Sequence, residues 1–245
     1  MKVRHEFVIA VTMAATASCV FVHPTRGANQ AGVTVSGAAG LIPAAPGASV
    51  RDASKIVVWL SSIDAVRPVS ATTESARYRL VQHNKRFEPG LLVVPVGSVV
   101  DFPNADPWFH NVFSLYRGKR FDLGLYQAGS QRSVRFDRIG PSYLFCNIHP
   151  EMTGVVLAID SDLFSVSDKN GRYSISGVAP GRYVLHVWYE NATPESLQAL
   201  TRQVNIQNEK QTLPAILVNA TKQAPSNHKN KYGQDYDPEG IKTEY

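Results

Sequence analysis

The body of the chain is written in short runs of β-type residues, each stopped by Gly, Pro, Asn or Asp. They are "GVTVSG", "KIVVWL", "RYRLV", "LLVVPVG", "SVVDF", "HNVFSL", "SVRF", "SYLF", "GVVLAI", "RYSIS", "GRYVLHVWY", "RQVNI" and "AILV". Runs of this length and composition between turn residues are strands. No stretch carries a sustained helical period, and only "TPESLQALTRQ" has room for a turn or two of helix. Many short strands with frequent turn signals predict an all-β chain built as β-sandwiches.

The N-terminus puts a short basic head, with Lys2 and Arg4, before the apolar and small-residue run "FVIAVTMAATASCVFV". This is the pattern of a secretory signal, expected over residues 1–27, and it predicts an exported, periplasmic protein. Thr, Ser and Ala dilute the run below what a membrane span of about 20 strongly apolar residues needs, so no span is expected. Cleavage fits after Ala17 or after Gly27, and Thr16 makes "TASC" a poor lipoprotein box for Cys19. The chain carries a formal +5, of which Lys2, Arg4 and Arg26 against Glu6 leave with the signal. So mild a basic balance is not a nucleic-acid footprint, and no nucleic-acid partner is expected. The last 25 residues, 221–245, contain almost nothing to bury and read as a disordered tail.

Export changes the cysteine arithmetic. The chain has two cysteines and three methionines, and the signal takes Cys19, Met1 and Met13 with it. One thiol, Cys146, then remains in an oxidising compartment with no partner for an intramolecular disulfide. The one remaining methionine, Met152, lies in the same seven residues, "CNIHPEM", with His149 midway and Pro150 restricting the loop. A thiolate, two imidazoles and a weak axial thioether make the trigonal site of blue-copper centres. Zinc suits cysteine and histidine but not a thioether. The second imidazole must come from His83, His110, His186 or His228. His228 lies in the tail and His186 in a strand far along the chain. His110 opens "HNVFSL" directly after "VVDFPNADPWF", at the start of a strand and beside Asn111. His110 is therefore the expected ligand, with His83 as its competitor.

The order "FEPGLLVVPVGSVVDFPNADPWFHNVFSL" followed by "GPSYLFCNIHPEMTGVVLAI" resembles the cupredoxin family. Plastocyanin and amicyanin read F-x-P, a strand, G-x-x-V-x-F-x-N-x-D, then His-Asn-Val, and later Cys, His and Met before a closing G-x-V strand. The two residues on either side of His149 match amicyanin's short loop. The resemblance implies a Greek-key β-sandwich with His110, Cys146, His149 and Met152 as ligands of one type 1 copper ion. It implies that Asn111, through its backbone amide and side chain, steadies the thiolate and its loop, and that His149 shows a ring edge at the surface. Ser142 departs from plastocyanin, which has an aromatic there, and Tyr143 and Phe145 are shifted in register. That departure leaves the reduction potential open.

A second resemblance covers "SVSDKNGRYSISGVAPGRYVLHVWY", which is similar to the Ig-like, carboxypeptidase-regulatory-like sandwich with its D-x-x-G-x-[FY] and P-G-x-Y. The first strands of that family look like "VTVSGAAG" and "KIVVWL" here. The resemblance implies a discontinuous sandwich, 32–62 plus 161–220, with a copper-binding domain at 76–160 inserted after the linker "IDAVRPVSATTESA". As a whole the chain resembles exported cupredoxin-like proteins labelled methylamine-utilisation proteins.

The expected function is to carry single electrons between redox partners, with no enzymatic activity, since no nucleophile pair, general base or open metal position is evident. Arg117, Lys119, Arg120, Arg132, Arg135 and Arg138, against Asp122 and Asp137, read as a solvated face or as a docking patch for an acidic redox protein. Phe121, Leu123, Leu125 and Tyr126 are expected in the core, and the protein is expected to be a monomer. Copper storage or delivery is one alternative, though the sequence has no Met- or His-rich tract. A non-redox binding module with a degenerate copper domain is another.

Overall fold

The computed structural model describes residues 32–42, 52–64, 78–115, 118–220 and 229–235. The expected signal, Cys19, most of the linker, Arg117 and His228 lie outside the described residues. Those residues all fall in one unit, Ala31–Tyr245.

The chain opens with β1 (Val33–Ile42) and β2 (Val57–Ser62). It continues with β3 (Tyr78–Arg79), β4 (Val81–His83), β5 (Arg86–Glu88), β6 (Leu91–Pro95), β7 (Val99–Pro103) and β8 (His110–Ser114). Next come β9 (Phe121–Tyr126), β10 (Gln131–Arg135), β11 (Gly140–Phe145), β12 (Thr153–Ile159), β13 (Phe164–Val166), β14 (Arg172–Val178) and β15 (Gly181–Trp188). A short helix, α1 (Pro194–Gln198), precedes β16 (Arg202–Ile206), β17 (Gln211–Thr212) and β18 (Ile216–Asn219). The fold is all-β. The helix starts where Thr193 caps the Ser196 N–H and Pro194 takes the first helical position. No helix among the described residues is long and apolar enough to cross a membrane.

Strand alternation sorts the apolar side chains into three packed groups. Val35, Val58, Leu60, Ile175, Leu185, Ile206 and Val218 belong to one core, between the sheet β14-β1-β17, with β18 on β1, and the sheet β13-β2-β15-β16. Leu80, Val100, Phe102, Val112, Phe136, Leu144 and Val156 fill a second, between the sheet β6-β12-β11-β8-β9 and the sheet β10-β7-β3. Val57, Val93, Val155, Leu157, Ile159 and Trp188 form a third, where β2 and β15 meet β6 and β12.

β12 belongs to two of these groups. Val156 and Ala158 point into the second core, while Val155, Leu157 and Ile159 point the other way into the third. Successive strand side chains face opposite sides, so a strand buried on both faces reads as the unbroken run "GVVLAI". β2 divides in the same manner, Val58 and Leu60 against Val57 and Trp59. Beyond β12, Asp160 accepts hydrogen bonds from Trp59 Nε1 at 2.9 Å and Ser61 Oγ at 2.8 Å, tying the strand's exit to β2.

One core expectation fails. Leu125 is exposed, although Tyr126 beside it is buried. Gly124 has φ of +67°, and the β8–β9 register shifts between Asn111 and Phe113. This bulge interrupts the alternation that packs the half-buried Phe121 and Leu123 against the core and turns Leu125 outward.

The turn before β14 depends on a glycine. Asp168 Oδ1 accepts the Asn170 and Arg172 N–H groups, and Gly171 has φ of +76° with its carbonyl accepting the Ala39 N–H at 2.8 Å. A Cβ at this position would collide with the Ala39 carbonyl oxygen. Gly171→Ala is therefore expected to cost about 2 kcal/mol or more of stability. A lower urea midpoint at an unchanged m-value checks it.

Candidate metal centre

The β11–β12 hairpin builds the first part of the site. Phe145 pairs with Thr153, so the seven residues from Cys146 to Met152 are the whole connection between the two strands. The loop is closed by the Cys146 N–H to the Met152 carbonyl at 3.3 Å and by the Met152 N–H to the His149 carbonyl at 3.1 Å. Phe145 also pairs antiparallel with Phe113 of β8. Three residues back along β8 is level with three residues on from Phe145, and that brings His110 beside the loop.

His110, Cys146 and His149 form one group. The two Nδ1 atoms lie 3.1 Å apart, and Cys146 Sγ lies 3.7 Å from His149 Nδ1 and 4.0 Å from His110 Nδ1. The point equidistant from the three atoms is about 2.1 Å from each. Metal–nitrogen bonds of ~2.0–2.1 Å and metal–sulfur bonds of ~2.3 Å are close to that radius. Met152 is fully buried in the same core as Cys146.

His110 is aimed by groups upstream of it. In "NADPWFH", the buried Asn104 accepts the Asp106 N–H at 3.1 Å and donates through Nδ2 to the carbonyls of Trp108, at 2.7 Å, and Tyr126, at 3.2 Å. Asp106 is thereby placed 2.8 Å from His110 Nε2. A hydrogen on Nε2 donated to this carboxylate leaves the Nδ1 lone pair facing Cys146 and His149. Asp106 is itself held by the β4–β5 turn, where Asn84 and Lys85 both have positive φ, as two-residue hairpins require. Their backbone N–H groups donate to it at 2.7 and 2.9 Å.

The electrostatics follow from burial. Burial would raise the Asp106 pKa, but the N–H groups of Lys85 and Asn84 and the His110 ring outweigh it and hold the carboxyl below its usual range. Burial lowers the pKa of His110 against the pull of Asp106, and burial with the His110 charge lowers that of His149 to about 4. The Cys146 thiol is pushed up by burial, partly offset by the backbone N–H groups of Asn111, Ile148 and His149. At neutral pH the imidazoles are thus uncharged, with ring nitrogens converging on a sulfur. Converging donors of this kind suit a hydrogen or a metal cation among them. Two imidazoles and a thiol, with the Met152 thioether in the same core as the thiol, make a soft set that fits copper.

The remaining candidates sit elsewhere. His83 is exposed on β4, 3.6 Å from the Glu88 carboxylate. His186 stacks on Trp59 with ring centroids 4.9 Å apart. Asn111 contributes its backbone N–H on the sulfur side, and its side-chain amide reaches β9. Nδ2 donates to Asp122 Oδ1 at 2.7 Å and to the Gly124 carbonyl at 3.1 Å, both on β9. The bulge in β9 offers these acceptors at the position where the amide arrives. Only 9% of the His149 surface is exposed, flanked in sequence by the half-buried Pro150. Trp108 and Phe109, next to His110, are 37% and 43% exposed. Asn104 and Asp106 fall at the N-x-D of the cupredoxin-like pattern, which by itself assigns them no role, and the Asn84–Lys85 turn carries no motif.

The shift at His149 has a sign that can be checked in the metal-free protein. A histidine held neutral in the fold binds protons less readily than in the unfolded chain. Its stabilising effect is complete above about pH 6.5 and is lost as the pH falls toward 4. Unfolding free energies from urea titrations should therefore drop over that interval, by about 3 kcal/mol at the lower end. His149→Gln should flatten the slope.

No protein-family model matches the chain, and no curated protein sequence matches it. Among solved structures, it is similar to a Cu-containing nitrite reductase from Thermus scotoductus at 22% identity and TM-score 0.33, over 34% of this chain and 22% of that one. The match thus spans about a fifth of the reductase. A purple cupredoxin from Nitrosopumilus maritimus matches at 23% identity and TM-score 0.31, over 34% of this chain and 99% of that one. A reduced amicyanin mutant matches at 22% identity and TM-score 0.33, over 36% of this chain and 88% of that one. Likeness at these scores does not by itself define a fold.

Proposed function

We propose that this protein is an exported type 1 copper protein that carries single electrons, with His110, Cys146, His149 and Met152 as ligands. The observation that carries this reading is the triangle of His110 Nδ1, His149 Nδ1 and Cys146 Sγ, buried and sized for one ion. Copper held there would supply a one-electron couple. The chain supplies the rest. Asp106 fixes the tautomer and orientation of His110, the short loop with Pro150 restrains His149, and the core around Met152 excludes water. Residues 76–160 are the copper-binding domain in this reading, inserted in a sandwich of 32–62 and 161–220 whose core is separate. The partner is a redox protein. Among the described cations, Lys119 is paired with Asp137 and Arg135 with the Gly97 carbonyl, while Arg120 and Arg138 are exposed and suit an acidic surface.

The test is copper titration followed by absorption and EPR spectroscopy. One equivalent should produce an intense visible band from thiolate-to-copper charge transfer. Cys146→Ser should abolish it, and His83→Ala should keep it. One bound equivalent without a strong band overturns the reading.

Met152→Gln should keep copper and colour while lowering the reduction potential. A soft thioether favours the reduced ion, and an amide oxygen favours the oxidised one. Voltammetry checks this, and an unchanged potential removes Met152 from the ligand set.

A further inference from the structure

The tail expected to be disordered has an organised piece in it. Residues 229–235, "KNKYGQD", close on themselves. Asn230 Oδ1 accepts the N–H groups of Tyr232 and Gln234, at 2.9 and 3.0 Å. The Asn230 N–H donates to the Gln234 carbonyl, the Gly233 N–H donates to the Asn230 carbonyl, and Lys229 pairs with Asp235 at 2.7 Å. The piece is a knob with its own hydrogen bonds.

Lys231 joins this knob to the metal centre at two points. Its backbone N–H donates to Asn147 Oδ1 at 3.0 Å, and Asn147 is the residue that follows Cys146. Its Nζ donates to Asp122 Oδ2 at 2.8 Å, and the other oxygen of that carboxylate holds the Asn111 side chain at 2.7 Å. Asn111 is the residue whose backbone N–H faces the Cys146 sulfur. One lysine therefore grips both the loop that carries the thiol and, through Asp122, the strand that carries His110 and Asn111. Both ends of the ion pair are partly sheltered, at 22% and 37% exposure.

We propose that the knob at 229–235 is a strap on the metal-binding loop, with Lys231 as a positioning residue for Cys146. This deepens the copper reading, since it assigns a remote part of the chain to the geometry of that site. The contacts to the loop and to β9 are made by the chain itself, so the strap restrains the loop whether or not a metal is present. It acts on the sulfur indirectly, by fixing the residue after Cys146 on one side and the Asn111 backbone on the other.

Hydrogen exchange on the metal-free full-length protein tests the strap apart from the copper reading. The amides to follow are those of Cys146 and Met152, which close the loop. Lys231→Met should make them exchange roughly two- to fivefold faster, the range allowed by loss of one partly exposed ion pair. Lys231→Arg should restore the slow rate. Asn230→Ala, at a residue with no hydrogen bond to the loop or to Asp122 among the described residues, should speed exchange as well because it opens the knob. Lys210→Met makes the same charge change at an exposed site elsewhere and should leave the rates unchanged. Loop rates in Lys231→Met equal to those in Lys210→Met overturn the strap. A sample that gives the expected exchange pattern but no coloured copper complex would instead overturn the copper reading and leave the strap standing.

Discussion

The pairing of β11 with β12 is the constraint on which the rest of the structure depends. Its register, with Phe145 opposite Thr153, makes the connection between the strands only seven residues long and gathers Cys146, His149 and Met152 in it. The same β12 is buried on both faces, against Phe102 and Leu144 in one core and Val57 and Trp188 in another. A one-residue slip would exchange its two faces and put Gly154, Val156 and Ala158 where Val155, Leu157 and Ile159 belong. The ligand loop is therefore fixed by packing on both sides of its strand, and a core well away from the imidazoles takes part in holding it.

Three of the four expected ligands are local in the sequence. Their spacing is written in "CNIHPEM", and one hairpin connection delivers it without help from the rest of the fold. His110 was legible through its place at the head of a strand. Asp106 was not, because its role comes from contacts no spacing records. Its carboxylate meets the β4–β5 turn across about 20 residues of sequence, and only folding brings the Asn84 and Lys85 N–H groups to it. Leu125 was misplaced for a related reason. An apolar residue in an alternating run reads as core, and the positive φ at Gly124 that breaks the run is a property of the pairing with β8. Among the described residues of the tail, Tyr232 is exposed, in line with a composition that has little to bury. Composition has no means of showing the polar closure of residues 229–235 around Asn230.

The polar contacts around the site share a chemical logic. Two carboxylates, Asp106 and Asp122, stand behind the two strand residues that face the loop, His110 and Asn111. Asp106 is kept ionised despite its burial by N–H groups of the β4–β5 turn, and the partly sheltered Asp122 by those of Lys231 and Gly124. A carboxylate with several fixed donors is a rigid anchor, because moving it away breaks all of those bonds together. Anchors of this kind suit a centre whose donors must keep one arrangement through a change of charge.

Charge also decides why Asp106 is a carboxylate and not a neutral acceptor. Its negative charge is buried, and burial is costly unless a positive group lies near. In the fold that role falls to N–H dipoles and to the hydrogen on His110 Nε2, with Lys85 nearby over the Trp108 ring at 5.0 Å. A cation on His110 Nδ1 would draw electron density through the ring and strengthen the Nε2–H bond to Asp106, while the carboxylate would make the ring a better donor to the cation. The effect is larger for a doubly charged ion than for a singly charged one. Under the copper reading, Asp106 therefore favours the oxidised state and pulls the potential down, in opposition to the thioether of Met152, which favours the reduced one. Under that reading the two buried groups pull the potential in opposite directions, one read from the loop sequence and the other from contacts made in the fold.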